Sequence, residues 1–102
     1  MPAYYLGMDQ GTTGTTALLL DENWHIISSG YREHTQCFPT PGWVEQDPEM
    51  LWNCFVGAAE EAFHRSGVSP SAVCCLGLAH QGETVVLWDK ATGTPIYPAI
   101  VW

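Results

Sequence analysis

Residues 9–16 read Asp-Gln-Gly-Thr-Thr-Gly-Thr-Thr, a carboxylate followed by two glycines and four threonines within eight positions. Glycines let a backbone approach an anion closely, and consecutive N–H groups in a tight turn form an anion-binding concavity. Threonine hydroxyls can donate further hydrogen bonds, and an aspartate placed directly before the turn can hold magnesium through water. Asp9 through Gly14 could therefore serve as a phosphate cradle. The run is not a Walker A loop, because no Lys-Ser or Lys-Thr pair follows Gly14, and G-x-G-x-x-G is absent. An ordinary hairpin turn with solvated threonines accounts for the same residues equally well.

The rest of the chain limits what such a cradle could serve. Only Arg32, Arg65 and Lys90 are cationic, against eleven acidic residues, so the net charge is -8 over 102 residues. Nucleic-acid binding needs Lys or Arg to displace counterions, and no basic patch exists. Any phosphate must be held by backbone N–H groups, hydroxyls and a metal ion. Cys37, Cys54, Cys74 and Cys75 show no C-x-x-C spacing, and read as buried, reduced thiols. His34 and Cys37 lie three apart, but no second ligand pair completes a zinc site. No apolar run approaches the roughly 20 residues that span a bilayer. Met1–Met8 lacks the basic start of a signal peptide, so a cytoplasmic location is expected and a membrane partner is not.

The elements that must position the cradle follow from periodicity. Tyr4–Asp9 and Ala17–Asp21 read as strands joined by the glycine-threonine run, and Trp24–His34 as a third, giving an antiparallel meander. Residues 35–48 hold three prolines and a glycine and read as a loop. Asp47-Pro48 starts a helix, with Asp47 as cap and Pro48 at the first helical position. Leu51, Phe55, Ala58, Ala59 and Ala62 recur at helical spacing, widened by Trp52, Val56 and Phe63, and Gly67 stops the helix. Ala72–Ala79 is almost wholly apolar, as expected of a strand covered on both faces. Thr84–Asp89 and Ile96–Trp102 read as further strands around a turn at 90–95. The chain stops on the apolar run Ile100-Val101-Trp102, which is expected of the front part of something larger.

Three stretches add a resemblance: "DQGTT" at 9–13, "PGWVEQDP" at 41–48 and "ETVVLWDKATGTPIYPAIVW" at 83–102. Together, in this order, they resemble the FGGY family of carbohydrate kinases, and within it look most like the glycerol kinases. The resemblance implies an α/β chain of the ribonuclease H-like, actin-like ATPase fold, with a mixed sheet that starts as a three-stranded antiparallel meander, then a helix and further strands. Residues 1–102 would be the N-terminal part of the first kinase domain. The implied activity is phosphoryl transfer from ATP, with magnesium, to a primary hydroxyl of a small polyol or sugar.

By matching positions, Asp9 would orient the magnesium ion through water, and Gly11, Thr12 and Thr13 would meet the ATP phosphates. Gln81 and Glu83 would contact substrate hydroxyls, and Trp102 would pack on the substrate's carbon skeleton. The catalytic base would lie beyond Trp102, so the 102-residue chain alone is expected to phosphorylate nothing. Its partners would be the remainder of the kinase chain and, at full length, a second copy. Three positions depart from the glycerol kinase pattern: Thr16 and Gly82, where arginine is usual, and His80, where asparagine is usual. Gly82 would make room for a larger polyol. A non-catalytic sugar- or nucleotide-sensing module on the same fold, and a purely structural domain, are the competing readings. The "PGWVEQDP" segment reads as structural, with Trp43 and Val44 packing the loop on the sheet.

Overall fold

A computed structural model describes residues 3–101. Three strands follow in succession: β1 (Tyr4–Gln10), β2 (Gly14–Leu20) and β3 (Ile26–Glu33). Each neighbour pairs antiparallel, with Asp9 opposite Thr16 and Thr16 opposite Tyr31. The second turn of this meander is made by Asp21, whose carboxylate accepts from the N–H groups of Asn23 and His25 at 2.8 and 3.0 Å. Trp24 takes the left-handed conformation (φ 64°) there, and its ring stacks on Tyr5 at 4.7 Å. The loop at 35–48 contains a two-residue strand that the proline count conceals, β4 (Glu45–Gln46).

Helix α1 (Pro48–Ser66) starts and stops where its punctuation requires. The Asp47 carboxylate accepts from Glu49 N–H at 3.0 Å, Pro48 occupies the first turn, and Gly67 (φ 73°) closes the end by donating to the Phe63 carbonyl. Its Ala58 and Ala62 pack against Leu6, Met8, Ala17 and Leu19, with Phe55, Ala59 and Phe63 at the margins. Trp52 does not widen this face. It stands 62% exposed and stacks on Phe55 instead.

Two contacts fix α1 on the sheet. Any Cβ at Gly30 would collide with the Ala58 carbonyl oxygen, so backbone meets backbone there. Glu61 accepts from the Tyr31 N–H at 2.8 Å and pairs with Arg32 and Arg65 at 3.1 Å each. The Tyr31 bond, above all, holds the Glu61 carboxyl below its ordinary range.

After α1 the chain makes one 3-10 turn at Pro70–Ala72 and enters β5 (Val73–His80), which pairs parallel with β1. The sheet order is β3-β2-β1-β5, and a second, small sheet joins β4 to β6 (Ala99–Ile100). Three expectations change here. β5 is not covered: Leu76 and Leu78 are 48% and 54% exposed, because α1 lies across β1–β3 and no described element covers the edge strand. The four cysteines are free, but Cys37, Cys74 and Cys75 are exposed rather than buried. Residues 84–98 also form no regular strands. They make isolated bridges, Val85 with Ile100 and Trp88 with Pro95.

The β1–β2 turn is tied down from behind by His34. Gly11 N–H donates to the Gly14 carbonyl at 3.0 Å, and His34 N–H donates to the Thr13 carbonyl at 2.8 Å. The buried imidazole reaches the Thr12 carbonyl through Nδ1 at 3.3 Å and the Thr15 hydroxyl through Nε2 at 2.7 Å. A carbonyl only accepts, so we assign the ring proton to Nδ1, and Thr15 donates to Nε2. Burial lowers the His34 pKa below the ordinary 6.5, against the opposing pull of the Thr12 carbonyl.

Two predictions follow from these contacts. Gly30→Ala should destabilise the chain by about 1–3 kcal/mol, the usual cost of overpacking, read as a lower urea midpoint. An unchanged midpoint would show that α1 can lift away. For His34 the folded pKa lies below the unfolded one, so the stability it supports is complete above pH ~6.5 and is lost as pH falls through the folded value. Between pH 7 and 5 the wild-type midpoint should drop, and that of His34→Gln should drop less. Equal slopes would remove His34 from the account.

Candidate functional site

The turn after β1 presents two different sides. Inward, the Thr12 carbonyl accepts from Gln36 Nε2 and Gln46 Nε2, both at 2.7 Å, besides the longer contact from His34. A carbonyl oxygen has two lone pairs, so the two glutamines take the strong bonds and His34 the weak third. The Thr12–Thr13 peptide is trans, and in a trans peptide the N–H points opposite to the C=O. Anchoring the Thr12 carbonyl inward therefore aims the Thr13 N–H outward. Neither Thr12 nor Thr13 N–H has a partner among the described residues. The Gly11 N–H is already spent on closing the turn.

Two clefts flank this turn. One, of about 360 Å³, is lined by Thr12, Gln81, Gly82, Glu83, Thr84 and Val101. It unites the turn with two of the residues expected to meet a substrate. Val101 is held at its edge by donating to the Val44 carbonyl at 2.9 Å, as a continuation of the β4–β6 pairing. Glu83 is exposed and engages no side chain among the described residues, whereas Gln81 is half-buried and bonded at both ends. A Cβ at Gly82 would meet nothing within 4 Å, so no neighbour demands glycine there and the cleft floor is open. Trp102 lies outside the described residues.

The other cleft, of about 400 Å³, opens on the sheet face away from α1 and holds Asp9 with Thr16, Gly77 and Ala79. Asp9 thus shares no cleft with Gln81 or Glu83. It sits across the turn from them, exposed and with no hydrogen bond or ion pair to another side chain among the described residues. Tyr31 closes the upper side of this face: a Cβ at Gly14 would collide with its ring and hydroxyl. Thr13 borders a third, apolar hollow of about 180 Å³ with Gln36, Phe38 and Val44.

These residues fit magnesium and a phosphate chain. Among the described residues no three His, Cys, Asp or Glu side chains converge to hold a metal. Magnesium does not require them, since it keeps several waters and is bound by one or two carboxylates plus phosphate oxygens. One free carboxylate at Asp9, the outward N–H of Thr13 and the unpartnered N–H of Thr12 form such a donor set.

The residues that sequence reasoning missed are Glu45 and Gln46. Within "PGWVEQDP" Val44 is buried as expected, but Trp43 is exposed, and the two polar residues after it are buried. Glu45 exchanges backbone bonds with Cys37 at 2.9 Å in both directions, and its carboxylate beside Tyr97 holds that phenol above its ordinary range. Gln46 reaches the turn itself. No signal in that loop pointed to their burial, because composition reads such residues as solvated.

Residues 4–102 match the N-terminal domain of the FGGY family of carbohydrate kinases. The chain is 46% identical over its whole length to a glycerol kinase of Rhizobium meliloti (strain 1021), of which it covers 20%. Among solved structures it superposes on a xyloylose kinase from Brucella ovis with a TM-score of 0.88 at 33% identity, over 95% of this chain and 20% of that one. Plasmodium falciparum glycerol kinase with ADP gives 0.86 at 34% identity, over 98% of this chain and 20% of that one. The chain therefore spans about a fifth of the length of the relatives it matches. The mixed sheet β3-β2-β1-β5 with α1 against it is the actin-like ATPase arrangement that these kinases share. On sequence and on fold, the chain belongs to the FGGY family of carbohydrate kinases.

Proposed function

We propose that this chain is the N-terminal part of the first domain of an ATP-dependent kinase that phosphorylates a primary hydroxyl of a small polyol or sugar. The observation that carries the reading is the division at the β1–β2 turn, with a free carboxylate at Asp9 on one side and Gln81 and Glu83 on the other. Mg-ATP, when bound, supplies the phosphoryl group and the cation that offsets its charge. In this reading Asp9 orients the water shell of the magnesium, and the N–H groups of Thr12 and Thr13 donate to phosphate oxygens. Glu83 accepts from substrate hydroxyls, and Gln81 offers them one N–H and one oxygen lone pair. Trp102 packs on the carbon skeleton. The base that takes the hydroxyl proton comes from the remainder of the kinase chain, and the protein works in the cytoplasm.

The open floor at Gly82 favours a substrate bulkier than glycerol. A carboxylate that stays unpaired without substrate penalises any ligand lacking the matching hydroxyl, which favours specificity.

The test is a panel of polyols and sugars offered with Mg-ATP to the protein at the length of its relatives. Phosphorylation of at least one is expected, and none would sink the reading. With the preferred substrate, Glu83→Gln should raise KM about tenfold or more, the loss expected for a hydrogen bond to a charged group. Gly82→Arg should shift preference toward smaller polyols, and an unchanged ranking would show that the cleft floor does not select.

A further inference from the structure

Gln46 stands outside the residues that face either cleft, and its side chain is fully buried. Burying a primary amide is costly unless both of its ends are bonded. Here Nε2 gives one hydrogen to the Thr12 carbonyl at 2.7 Å and the other to Gln36 Oε1 at 3.1 Å. Oε1 accepts from Gln81 Nε2 at 3.0 Å. The two ends are chemically different, so only one orientation works. A flipped amide would set oxygen against the Thr12 carbonyl and nitrogen against the Gln81 nitrogen.

The next link is fixed as well: with Gln81 Nε2 committed to Gln46 Oε1, Gln81 Oε1 is left to accept from the Thr84 hydroxyl at 3.0 Å. From Thr84 through Gln81 and Gln46 to the Thr12 carbonyl, every donor points the same way. Such a chain polarises cooperatively. An anion that accepts from the Thr13 N–H makes the Thr12 carbonyl a stronger acceptor. That strengthens the Gln46 donor, and in turn makes Gln46 Oε1 a stronger acceptor for Gln81. At the far end, Gln81 Oε1 becomes a better acceptor for any hydroxyl in the cleft.

We propose that Gln46 is a positioning residue which, through one amide, shares with Gln36 the anchoring of the Thr12 carbonyl that aims the Thr13 N–H outward, also fixes the rotamer of Gln81, and so couples anion binding at the turn to hydroxyl binding in the cleft. The coupling rests on the reading of the turn as the phosphate side and Gln81 as the substrate side. Coupling of this kind is reciprocal: each ligand raises the affinity for the other by the same factor.

The relay is tested first without turnover, by 15N NMR of the chain and of Gln46→Met, which keeps length and removes both bonds. The variant should move the Thr13 backbone N–H and both Gln81 side-chain amide resonances, and leave the middle of α1 in place. A Thr13 or a Gln81 signal that stays put would overturn the proposal. If Gln46→Met does not fold, Gln81→Met at the half-buried end takes its place. It must then shift the Thr13 N–H, which Gln81 does not touch.

The second arm uses the protein at the length of its relatives. Saturating Mg-ATP should lower the polyol KM of the wild type several-fold, and Gln46→Met should abolish that dependence while raising KM on the order of tenfold. A merely structural role would lower the active fraction and leave the dependence intact, which would overturn the proposal. A wild-type protein that transfers no phosphoryl group would defeat the kinase reading alone, since the NMR arm reads the relay directly.

Discussion

One carbonyl oxygen organises this structure. Thr12 turns its C=O into the protein, and three side chains from two separate segments donate to it. His34 comes from the end of β3, and Gln36 and Gln46 come from the two ends of the proline-rich loop. A turn of flexible residues has no reason to hold one shape on its own, and glycine and threonine in solution sample many. The convergence of fixed donors on one acceptor selects one of those shapes. It also decides which N–H groups are left for a ligand. The acidic balance of the chain gives this weight, because with only three cationic side chains in these 102 residues, the positive groups that the turn itself presents are backbone dipoles.

The same constraint separates the two clefts. β1 ends between them, so Asp9 leaves the sheet on the face away from α1, and the turn residues lead over to Gln81 and Glu83. β5 runs parallel to β1 and ends beside it, with His80 alongside Gln10. This parallel pairing sets the distance from the turn to Gln81 by the spacing of two adjacent strands. A site built on strand ends of one sheet inherits the rigidity of the sheet, which the proposed phosphoryl transfer would demand of its scaffold.

Much of this was legible in the sequence because it is local. The meander, the Asp47-Pro48 start and the Gly67 stop each depend on residues within a few positions, and each is found where the punctuation lies. What was not legible depends on coverage and closure. An apolar run such as Val73–Ala79 reports that a strand prefers burial, and says nothing of which neighbour covers it. Thr84–Asp89 has the composition of a strand, yet with prolines at 95 and 98 opposite it the ladder reduces to single bridges. Gln46 lies between two acids in a loop and looks solvated. Only the return of residues 99–101 against β4 buries it, and that pairing spans more than half the chain. Asp9 and Thr12 stand out by residue type as part of a cradle, Gln81 and Glu83 only by resemblance, and the structure distributes the four over two clefts rather than one.

The position of β1 between β2 and β5 carries a consequence for how the molecule assembles. Its partner on one side is reached through a three-residue turn, but on the other side Tyr4 meets Cys74 across 70 residues. During synthesis the meander and α1 can close as soon as they emerge, since their contacts are short in sequence. β5 comes afterwards, and with it Gln81. The oxygen of Gln46 must therefore wait for a partner that the ribosome has not yet made. The hydrogen bond that links the two halves of the site is thus among the late ones to form.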